Sequence, residues 1–198
     1  MVKRSFDLFF SLTGFLLLSP VFMCISCLVA ISSSGPVFFR QSRVGLRGDL
    51  FRIHKFRTMY VDSEGKGLLT VGRDERVTPI GHFLRKYKLD ELPQLIDVVL
   101  GKMSLVGPRP EVEKFINEYS EEDRQKILSV RPGITDNASI EMIDENLILA
   151  KYDDPHTAYI EHVMPIKKEY YLSYVDNQST WNDFILIFKT IKTIMHRK

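Results

Sequence analysis

Cysteine is nearly missing from this chain, and both copies, Cys24 and Cys27, lie inside an apolar run. Two thiols in such a place do not make a disulfide framework. Their C-x-x-C spacing is compatible with a redox or metal site, but nothing nearby supplies further ligands. We therefore interpret both cysteines as small apolar side chains.

A large excess of charge of one sign is also missing. The net charge is +2 over 198 residues, which argues against a dedicated nucleic-acid binder. The length indicates one domain, or one domain with a short appendage. The cations are nevertheless clustered, because residues 36–60 hold six of them and a single anion, Asp49. Such a cluster needs phosphates, lipid headgroups or acidic side chains as partners, and a solvated surface paired with carboxylates is the alternative. The six are Arg40, Arg43, Arg47, Arg52, Lys55 and Arg57.

Several well-known site patterns are missing as well. The chain has no Walker phosphate loop, no G-x-G-x-x-G, no G-x-S-x-G and no zinc pattern, and its five histidines are scattered. The remaining candidates for chemistry are carboxylates and arginines.

The longest uncharged stretch runs from Leu8 to Ile31, and its 24 residues are enough to cross a bilayer as a helix. A signal peptide is disfavoured, because the run is long and has no obvious A-x-A cleavage site. Ser19 and Pro20 stand in its middle, where proline removes a helical hydrogen bond and predicts a kink.

Basic residues flank this run on both sides, with Lys3 and Arg4 before it and Arg40, Arg43 and Arg47 after it. Basic residues tend to stay on the cytoplasmic side, so both ends favour the same side. A bent helix that enters and leaves through one leaflet satisfies this, if Ser19 or packed protein bonds the backbone at the bend. The residues alone leave re-entry and spanning equally open.

The rest of the chain predicts a mostly helical α+β domain after a boundary at residues 32–36. Val37 to Arg40 and Leu50 to Phe56 predict a β-hairpin, and Ser63 to Gly72 predicts a mobile loop. A turn is expected at residues 131–133. Helices are predicted from Thr78-Pro79, from Asp90 to about Leu100, from Pro110 to about Leu128, from Asp144 to about Val175 with interruptions near Pro155 and Pro165, and from Thr180 onward.

The last helix has the clearest amphipathic pattern, with Thr180 as its candidate cap. We expect its apolar stripe to pack in the core, and contact with a membrane surface is the alternative. The stripe comprises Trp181, Phe184, Ile185, Phe188 and Ile191, and the cations of the other side and end are Lys189, Lys192, Arg197 and Lys198.

Asp90 and Glu91 are the focal point for chemistry. An aspartate that caps a helix and a glutamate in the first turn are common for structural reasons alone. The same position, however, places an ionised carboxylate where backbone N–H groups point outward, which suits phosphate binding and attack on phosphorus.

Arginines near this pair could supply the positive charge for phosphates. Arg109 lies between two prolines that restrict its backbone, so a guanidinium is presented there at low entropic cost. Arg85 precedes Asp90 by five residues, and Arg131 opens the next turn. A carboxylate that attacks an anionic phosphate also needs a divalent cation, usually Mg²⁺ held by oxygen ligands.

At these residues the sequence resembles the bacterial sugar transferases, small monotopic phosphoglycosyl transferases. The similarity covers nearly the whole chain, and the order and spacing of its pieces are specific. The pieces are Lys3-Arg4-x-Phe6-Asp7, Ser19-Pro20, Gly35 to Phe39 with Gln41, Arg43 and Gly45, Lys55 to Met59, Thr78, Gly81, Leu84-Arg85, Leu89 to Leu95, Met103 to Pro110 and Arg131 to Thr135.

The resemblance implies a re-entrant membrane helix over residues 1–35, broken at Ser19-Pro20, and a cytoplasmic catalytic domain over residues 36–198. It implies that Asp90 is a covalent nucleophile and a Mg²⁺ ligand, and that Glu91 assists by accepting a proton. The implied substrate-binding residues are Arg85, Arg109, Lys55, Arg57, Arg131 and Thr135.

The implied reaction transfers a sugar 1-phosphate from a UDP-sugar to a polyprenyl (undecaprenyl) phosphate. It would occur at the cytoplasmic face of the bacterial inner membrane, with membrane lipid and a homodimer as further partners. Two alternatives from other classes are a non-catalytic, membrane-anchored scaffold of a polysaccharide assembly complex and a basic lipid binder.

Three positions depart from the family pattern. Lys102 replaces a usual acidic residue, Asp97 replaces a common asparagine, and Asp136-Asn137 replaces a frequent Gly-Trp. The last departure indicates a sugar-recognition subgroup, so the sequence leaves the particular sugar open.

Overall fold

The structure, a computed structural model, describes residues 2–61, 67 and 69–196. Most of the loop predicted between Ser63 and Gly72 therefore lies outside the described residues, as do Arg197 and Lys198. The chain is mostly helical with two small sheets, which agrees with the predicted class.

The N-terminal run forms two helices, α1 (Val2–Leu17) and α2 (Ser19–Ser32), bent by 62°. Pro20 has no N–H to donate to the carbonyl of Leu16, and the hydroxyl of Ser19 donates to that oxygen instead, at 2.8 Å. The predicted kink and its local bonding are confirmed. Among the described residues no unbroken helix has the length and hydropathy of a bilayer crossing, and this pair reaches both only when its halves are counted together.

The predicted hairpin is confirmed. Strands β1 (Phe38–Val44) and β2 (Leu50–Phe56) pair antiparallel, with Phe38 opposite Phe56. The first strand extends beyond the predicted Arg40, because pairing with β2 continues to the turn. The ring of Phe56 lies 5.6 Å from that of Phe22, so the hairpin packs on α2.

Helix α3 (Pro79–Lys86) begins as predicted, with the hydroxyl of Thr78 accepting from the N–H of Gly81 at 3.0 Å. The helix predicted from Asp90 is different. Leu89–Glu91 form a 3₁₀ turn, here called the Asp90 turn, and α4 (Gln94–Val99) follows without a side-chain cap. Asp90 is therefore not a helix cap, because it lies inside a turn that precedes the helix.

A two-stranded parallel sheet was not expected from the sequence. Strand β3 (Ser104–Val106) pairs with β4 (Gly133–Thr135), where the pattern predicted only the turn at residues 131–133. The two backbones are so close that a Cβ atom on Gly133 would lie 2.1 Å from the nitrogen of Gly107. Glycine is therefore required at this contact.

The remaining helices lie between β3 and β4 in the sequence and after β4. Pro165 lies in the first turn of a helix, where proline is tolerated, and a π turn directly precedes that helix. The α-helical pattern is thus interrupted near both Pro155 and Pro165, as predicted. The charged region after Pro110 forms two short helices instead of one. The elements are α5 (Glu113–Ile116), α6 (Glu121–Ile127), α7 (Asn137–Glu141), α8 (Glu145–Leu149), α9 (Pro155–Ala158), a π turn (Tyr159–Val163), α10 (Met164–Asp176) and α11 (Thr180–Met195).

Helix α11 turns its predicted apolar stripe outward. Trp181 is 68% exposed and Phe188 57%, whereas Asp183 and Leu186 are buried. The expected core role of the stripe is therefore wrong, and membrane contact remains as the alternative. Ser179, not Thr180, is the cap residue.

Buried polar contacts join α1 to the rest of the protein. Asp7 accepts hydrogen bonds from the hydroxyl of Ser104 at 2.9 Å and from the N–H of Leu105 at 3.2 Å. The ammonium of Lys3 lies 2.5 Å from a carboxylate oxygen of Asp183. These contacts fix β3, and with it the segment that follows. The division of the chain between residues 35 and 36 stays a prediction.

Candidate active site

A cleft of about 1340 Å³ lies between the hairpin, the Asp90 turn and the helices after β4. One end is lined by the two carboxylates Asp90 and Glu91, together with four cations: Lys55, Arg85, Lys88 and Arg109. Four positive and two negative side chains leave this end with an excess of two positive charges, which suits a diphosphate.

The Asp90 turn presents two adjacent carboxylates at this end. Lys88, which precedes the turn, has a left-handed backbone (φ 54°), and this reverses the chain after α3. Asp90 and Glu91 are each only 6% exposed. Two buried carboxylates need cations nearby, and the two side chains use them very differently.

Glu91 is fully engaged. Arg109 donates to both of its carboxylate oxygens, and the ammonium of Lys55 lies 3.1 Å from Oε1. Lys88 is 4.0 Å from the same oxygen. Burial by itself would raise the pKa of Glu91, but Arg109, Lys55 and Lys88 together hold that pKa well below its ordinary value. Glu91 is thus a permanent anion that fixes its cations.

Asp90 is held more loosely. Its Oδ1 is buried, and no hydrogen-bond partner for it is found among the described residues. Burial raises the pKa of Asp90, while the nearby charge of Lys55 acts in the opposite direction. A desolvated carboxylate oxygen without a donor keeps its lone pairs available, which is what a nucleophile requires.

Lys55 connects the hairpin to both carboxylates. It stands on β2 and has charge interactions with Glu91 and Asp90. Burial lowers the pKa of Lys55 to about 8, although Glu91 favours its charged form. Its charge is therefore present at neutral pH and lost in mildly alkaline solution.

Arg109 is positioned by the small parallel sheet. After β3 the chain continues the pairing, with the N–H of Gly107 donating to Thr135 at 3.1 Å and that of Gly133 donating to Pro108 at 2.9 Å. These bonds and the flanking prolines fix the backbone that carries the guanidinium. The second strand thus supplies rigidity in addition to that of the two prolines.

Arg85 reaches the cleft from α3. Its Nε donates to the hydroxyl of Thr58 at 2.8 Å and its Nη1 to that of Thr70 at 3.0 Å. Both partners are neutral, so they orient the guanidinium without neutralising it. Arg85 is thus suited to an anionic ligand.

Three predicted substrate ligands are placed differently. Arg57 lines the cleft, but its terminal nitrogens donate to the carbonyls of Ser33 and Ser34 at the end of α2, at 2.6 and 2.7 Å. Arg131 donates to the carbonyl of Gly101, and Thr135 shares a hydrogen bond with a threonine of α11. Neither Arg131 nor Thr135 is among the described residues that line the cleft. Their roles toward substrate stay predictions.

Six charged or polar residues of the cleft were not among the predicted site residues. Arg43 was named only as one of the clustered cations, although it shares a strand face of the hairpin with Lys55, and Lys88 looked like an ordinary surface lysine. The other four belong to segments far apart in the chain, and only tertiary structure brings them together. They are Glu111, Glu145, Tyr159 and Lys167.

The departures from the family pattern have distinct surroundings. Lys102 is exposed, outside the described lining of the cleft. Asp97 is buried and accepts from both the backbone N–H of His54 (2.9 Å) and its ring nitrogen (2.6 Å). Asp136 is also buried and caps α7 by accepting from Ser139, which itself lines the cleft.

The cleft offers few protein ligands for a divalent cation. No group of three or more His, Cys, Asp or Glu side chains with metal-binding geometry occurs within residues 2–61, 67 and 69–196. Asp90 nevertheless has a carboxylate oxygen without a donor. Mg²⁺ is commonly held by one or two carboxylates together with substrate phosphates, so Asp90 fits such an ion when a diphosphate is present.

Residues 1–197 match the profile of a family described as bacterial sugar transferase. A UDP-N-acetylgalactosamine-undecaprenyl-phosphate N-acetylgalactosaminephosphotransferase of Aeromonas hydrophila is 37% identical over 197 residues, which is 98% of this chain and 44% of that protein.

Two further relatives differ in length. A UDP-glucose:undecaprenyl-phosphate glucose-1-phosphate transferase of Escherichia coli (strain K12) is 37% identical over 195 residues, 96% of this chain and 39% of that protein. The exopolysaccharide production protein ExoY of Rhizobium meliloti (strain 1021) is 34% identical over 212 residues, 98% of this chain and 85% of that protein. The chain thus spans less than half of the first two relatives.

Proposed function

The chain belongs to the bacterial sugar transferase family, and we propose that it moves a sugar 1-phosphate from a UDP-sugar to undecaprenyl phosphate. The observation that carries this proposal is the buried, donor-free oxygen of Asp90 at the cation-rich end of the cleft. The names of the relatives support the same donor and acceptor classes.

The reaction would occur in two half-reactions on one phosphorus. First, a carboxylate oxygen of Asp90 attacks the phosphorus attached to the sugar; the bond from that phosphorus to the bridging oxygen breaks, and UMP leaves with the electron pair. Second, an oxygen of undecaprenyl phosphate attacks the same phosphorus, and the bond to Asp90 breaks. The products are UMP and a sugar diphosphate lipid, and the carboxylate is regenerated.

The four cations would serve both half-reactions. Arg109 and Lys55 are held in place by Glu91, and Arg85 is oriented by hydroxyls, so little reorganisation is needed when the charge of the phosphates shifts. A covalent intermediate lets a soluble and a lipid substrate use this end of the cleft in turn.

Glu91 fits a positioning role better than the predicted role of proton acceptor. A general base works best when its pKa is near the working pH. The pKa of Glu91 is instead well below its ordinary value, and both of its oxygens already accept from Arg109. We assign Glu91 to holding Arg109 and Lys55.

Mg²⁺ belongs to the proposal as well. Asp90 would hold the ion together with the diphosphate, whereas both carboxylate oxygens of Glu91 already accept hydrogen bonds from Arg109. When bound, the ion would reduce the repulsion between carboxylate and phosphates.

The membrane arrangement is proposed from the bent helix pair. Basic flanks and the break at Pro20 favour entry and exit on the cytoplasmic side of the bacterial inner membrane. The exposed stripe of α11 would lie on the membrane surface, and α11 contacts α1 through the rings of Phe184 and Phe10, 6.4 Å apart. This would keep the cleft near the lipid phosphate. The homodimer stays a prediction.

Release of UMP without any lipid acceptor tests the proposal. Detergent-solubilised protein is mixed with a panel of labelled UDP-sugars and Mg²⁺, and we expect about one UMP per active chain. Asp90→Asn keeps the shape of the side chain but should release none, and Asp153→Asn, an exposed site, is the matched control. Normal turnover by Asp90→Asn would rule out the nucleophile.

The scaffold alternative predicts a different result. A scaffold has no need of a donor-free carboxylate among four cations, and it would release no UMP from any donor with or without lipid. If the folded protein binds UDP-sugars and leaves them intact under all these conditions, the scaffold is the better description.

A further inference from the structure

The far end of the cleft has a different chemical character from the phosphate end. It is lined by the side chains of Glu111, Glu145, Tyr159 and Lys167, with Phe115 beside them. Arg43, which also lines the cleft, lies between the two ends, as its charge interactions with Glu111 and Arg109 indicate. None of these residues has a role in the two half-reactions described above.

The polar groups of this far end form one connected network. The hydroxyl of Tyr159 donates to Glu111 Oε1 at 2.9 Å and accepts from the ammonium of Lys167 at 3.1 Å. Lys167 also lies 2.6 Å from Glu145 Oε2 and 3.6 Å from Glu111 Oε1. The network fixes these side chains before any ligand arrives.

The charges of the far end cancel only when the intermediate Arg43 is included. Lys167 supplies one positive charge and Arg43 a second, and Glu111 and Glu145 supply two negative ones. The other end has an excess of two positive charges, so phosphates are attracted there and not here. A neutral group with many hydroxyls fits a neutral network in which carboxylates accept and an ammonium donates.

Burial and backbone geometry indicate that the far end is a built site. Tyr159 is 2% exposed, Lys167 5% and Glu111 6%, although all three line a cleft. Tyr159 also begins the π turn, a rare element that often occurs at functional sites. The ring of Phe115, which is 3% exposed, lies 4.5 Å from that of Tyr159 and packs against it.

We propose that the network of Glu111, Glu145, Tyr159 and Lys167 binds the hydroxyl groups of the donor's sugar and determines which sugar is accepted. This rests on the function proposed above, and it adds the residues that select the substrate. Glu145 is the adjustable member, because its side chain is 28% exposed and it belongs to α8, whereas Glu111 is nearly enclosed.

The buried capping residue Asp136 would act on this selection indirectly. Its carboxylate accepts from the N–H of Ser139 at 2.9 Å and from its hydroxyl at 2.5 Å, and this sets the start of α7. Ser139, Met142 and Ile143 line the cleft as the chain passes from α7 to α8. Asp136 is thus a positioning residue for the wall that carries Glu145.

Equilibrium binding to the full chain tests the proposal. All proteins carry Asp90→Asn so that no donor is consumed, and titration calorimetry measures Kd for UDP and for four UDP-sugars: glucose, galactose, N-acetylglucosamine and N-acetylgalactosamine. We expect Glu145→Gln to change the ratio of Kd values among the sugars by about tenfold. The substitution replaces a charged hydrogen-bond acceptor of sugar hydroxyls with a neutral amide. The Kd of UDP alone should change by less than about twofold, since the phosphate end is untouched.

Two further variants sharpen the result. Lys167→Met removes the centre of the network and should give a larger change of preference, provided that its circular dichroism matches the parent. Glu169→Gln, an exposed site on the same helix, should change nothing. An unchanged order of preference in Glu145→Gln, or an equal loss for UDP and all four sugars, overturns the proposal and leaves the network with a purely structural role.

The result also separates this proposal from the proposed function. If the chain with its native Asp90 releases UMP, but the variants keep the sugar preference of the Asp90→Asn parent, only the assignment of the sugar site is wrong. If the Asp90→Asn parent binds no UDP-sugar and the chain with its native Asp90 releases no UMP, the proposed function itself fails, and this site fails with it.

Discussion

The guanidinium of Arg109 binds both carboxylate oxygens of Glu91. The two residues come from the Asp90 turn and from the segment after β3, so the contact joins two parts of the fold at the cleft. It also explains how adjacent carboxylates acquire different properties. Glu91 takes the strongest donor, and the Oδ1 of Asp90 is left without one among the described residues.

Breaking this pair should destabilise the protein strongly. Arg109 and Glu91 have side chains only 23% and 8% exposed. Removing Glu91 leaves the buried Arg109 without its carboxylate, and removing Arg109 leaves the buried Glu91 with only Lys55 and Lys88. We expect Arg109→Met to lower the free energy of unfolding by about 3–5 kcal/mol, and Arg109→Met with Glu91→Gln to lower it by less than the sum of the single changes. Denaturant titration of the three variants measures this coupling.

A second pair serves as the control for that cycle. Lys189 and Glu141 are 2.8 Å apart, but their side chains are 47% and 49% exposed. Their coupling should be about 0–1 kcal/mol. An equally small coupling between Arg109 and Glu91 would contradict the importance given to their contact.

The charge of Lys55 should set the alkaline limit of activity. Burial lowers the pKa of Lys55 to about 8, so the rate of UMP release should fall as pH rises through about 8. Lys55→Arg keeps the charge and should move this limit upward by more than one pH unit, beyond about pH 9. Lys102→Arg, an exposed site, should leave the pH profile unchanged. An identical alkaline limit in Lys55→Arg would assign it to another group.

The free energy of unfolding should rise with pH in the range where the rate of UMP release falls. The pKa of Lys55 is about 8 when folded and near 10.4 when unfolded, so between these values the unfolded chain binds more protons. The free energy of unfolding therefore gains from Lys55 as pH rises through this window, by at most about 1.4 kcal/mol per pH unit. Comparing wild type with Lys55→Met isolates this contribution. A wild-type minus variant difference that falls with pH would contradict it.

Activity should depend on a divalent cation. Arginines alone leave a carboxylate facing anionic phosphates, so excess chelator should abolish UMP release and added Mg²⁺ should restore it. Circular dichroism in chelator should remain unchanged, because Mg²⁺ is proposed to bind with the substrate phosphates at Asp90 and to have no part in the fold. Full turnover in excess chelator would remove Mg²⁺ from the proposal.

The bent helix pair should place both of its flanks on one side of the membrane. In a chain with Cys24→Ser and Cys27→Ser, single cysteines at Val2→Cys and Val37→Cys should react with an impermeant maleimide only after the cytoplasmic side is opened. Labelling of Val2→Cys in intact cells would indicate a spanning helix.

Local signals in the sequence predicted much of the framework. The proline kink, the hairpin and the capped start of α3 each depend on neighbouring residues, and each was found. The parallel sheet was missed, because its strands have three residues each and are joined only by tertiary contacts. The stripe of α11 was placed in the core, because periodicity identifies an apolar face and does not say what covers it. In the cleft, Asp90, Glu91 and Arg109 belong to sequence motifs and were predicted from them. The residues of the far end belong to no such motif and were not predicted.

The contact between Lys3 and Asp183 has a consequence for how the protein is made. The two residues are 180 positions apart, and their side chains lie 2.5 Å apart in the folded chain. At about 5–20 residues per second, a ribosome needs roughly 9–36 s to travel from one to the other. During that interval Lys3 is without its native partner Asp183. The contact of α1 with α11 therefore forms late, because α11 is synthesised long after α1.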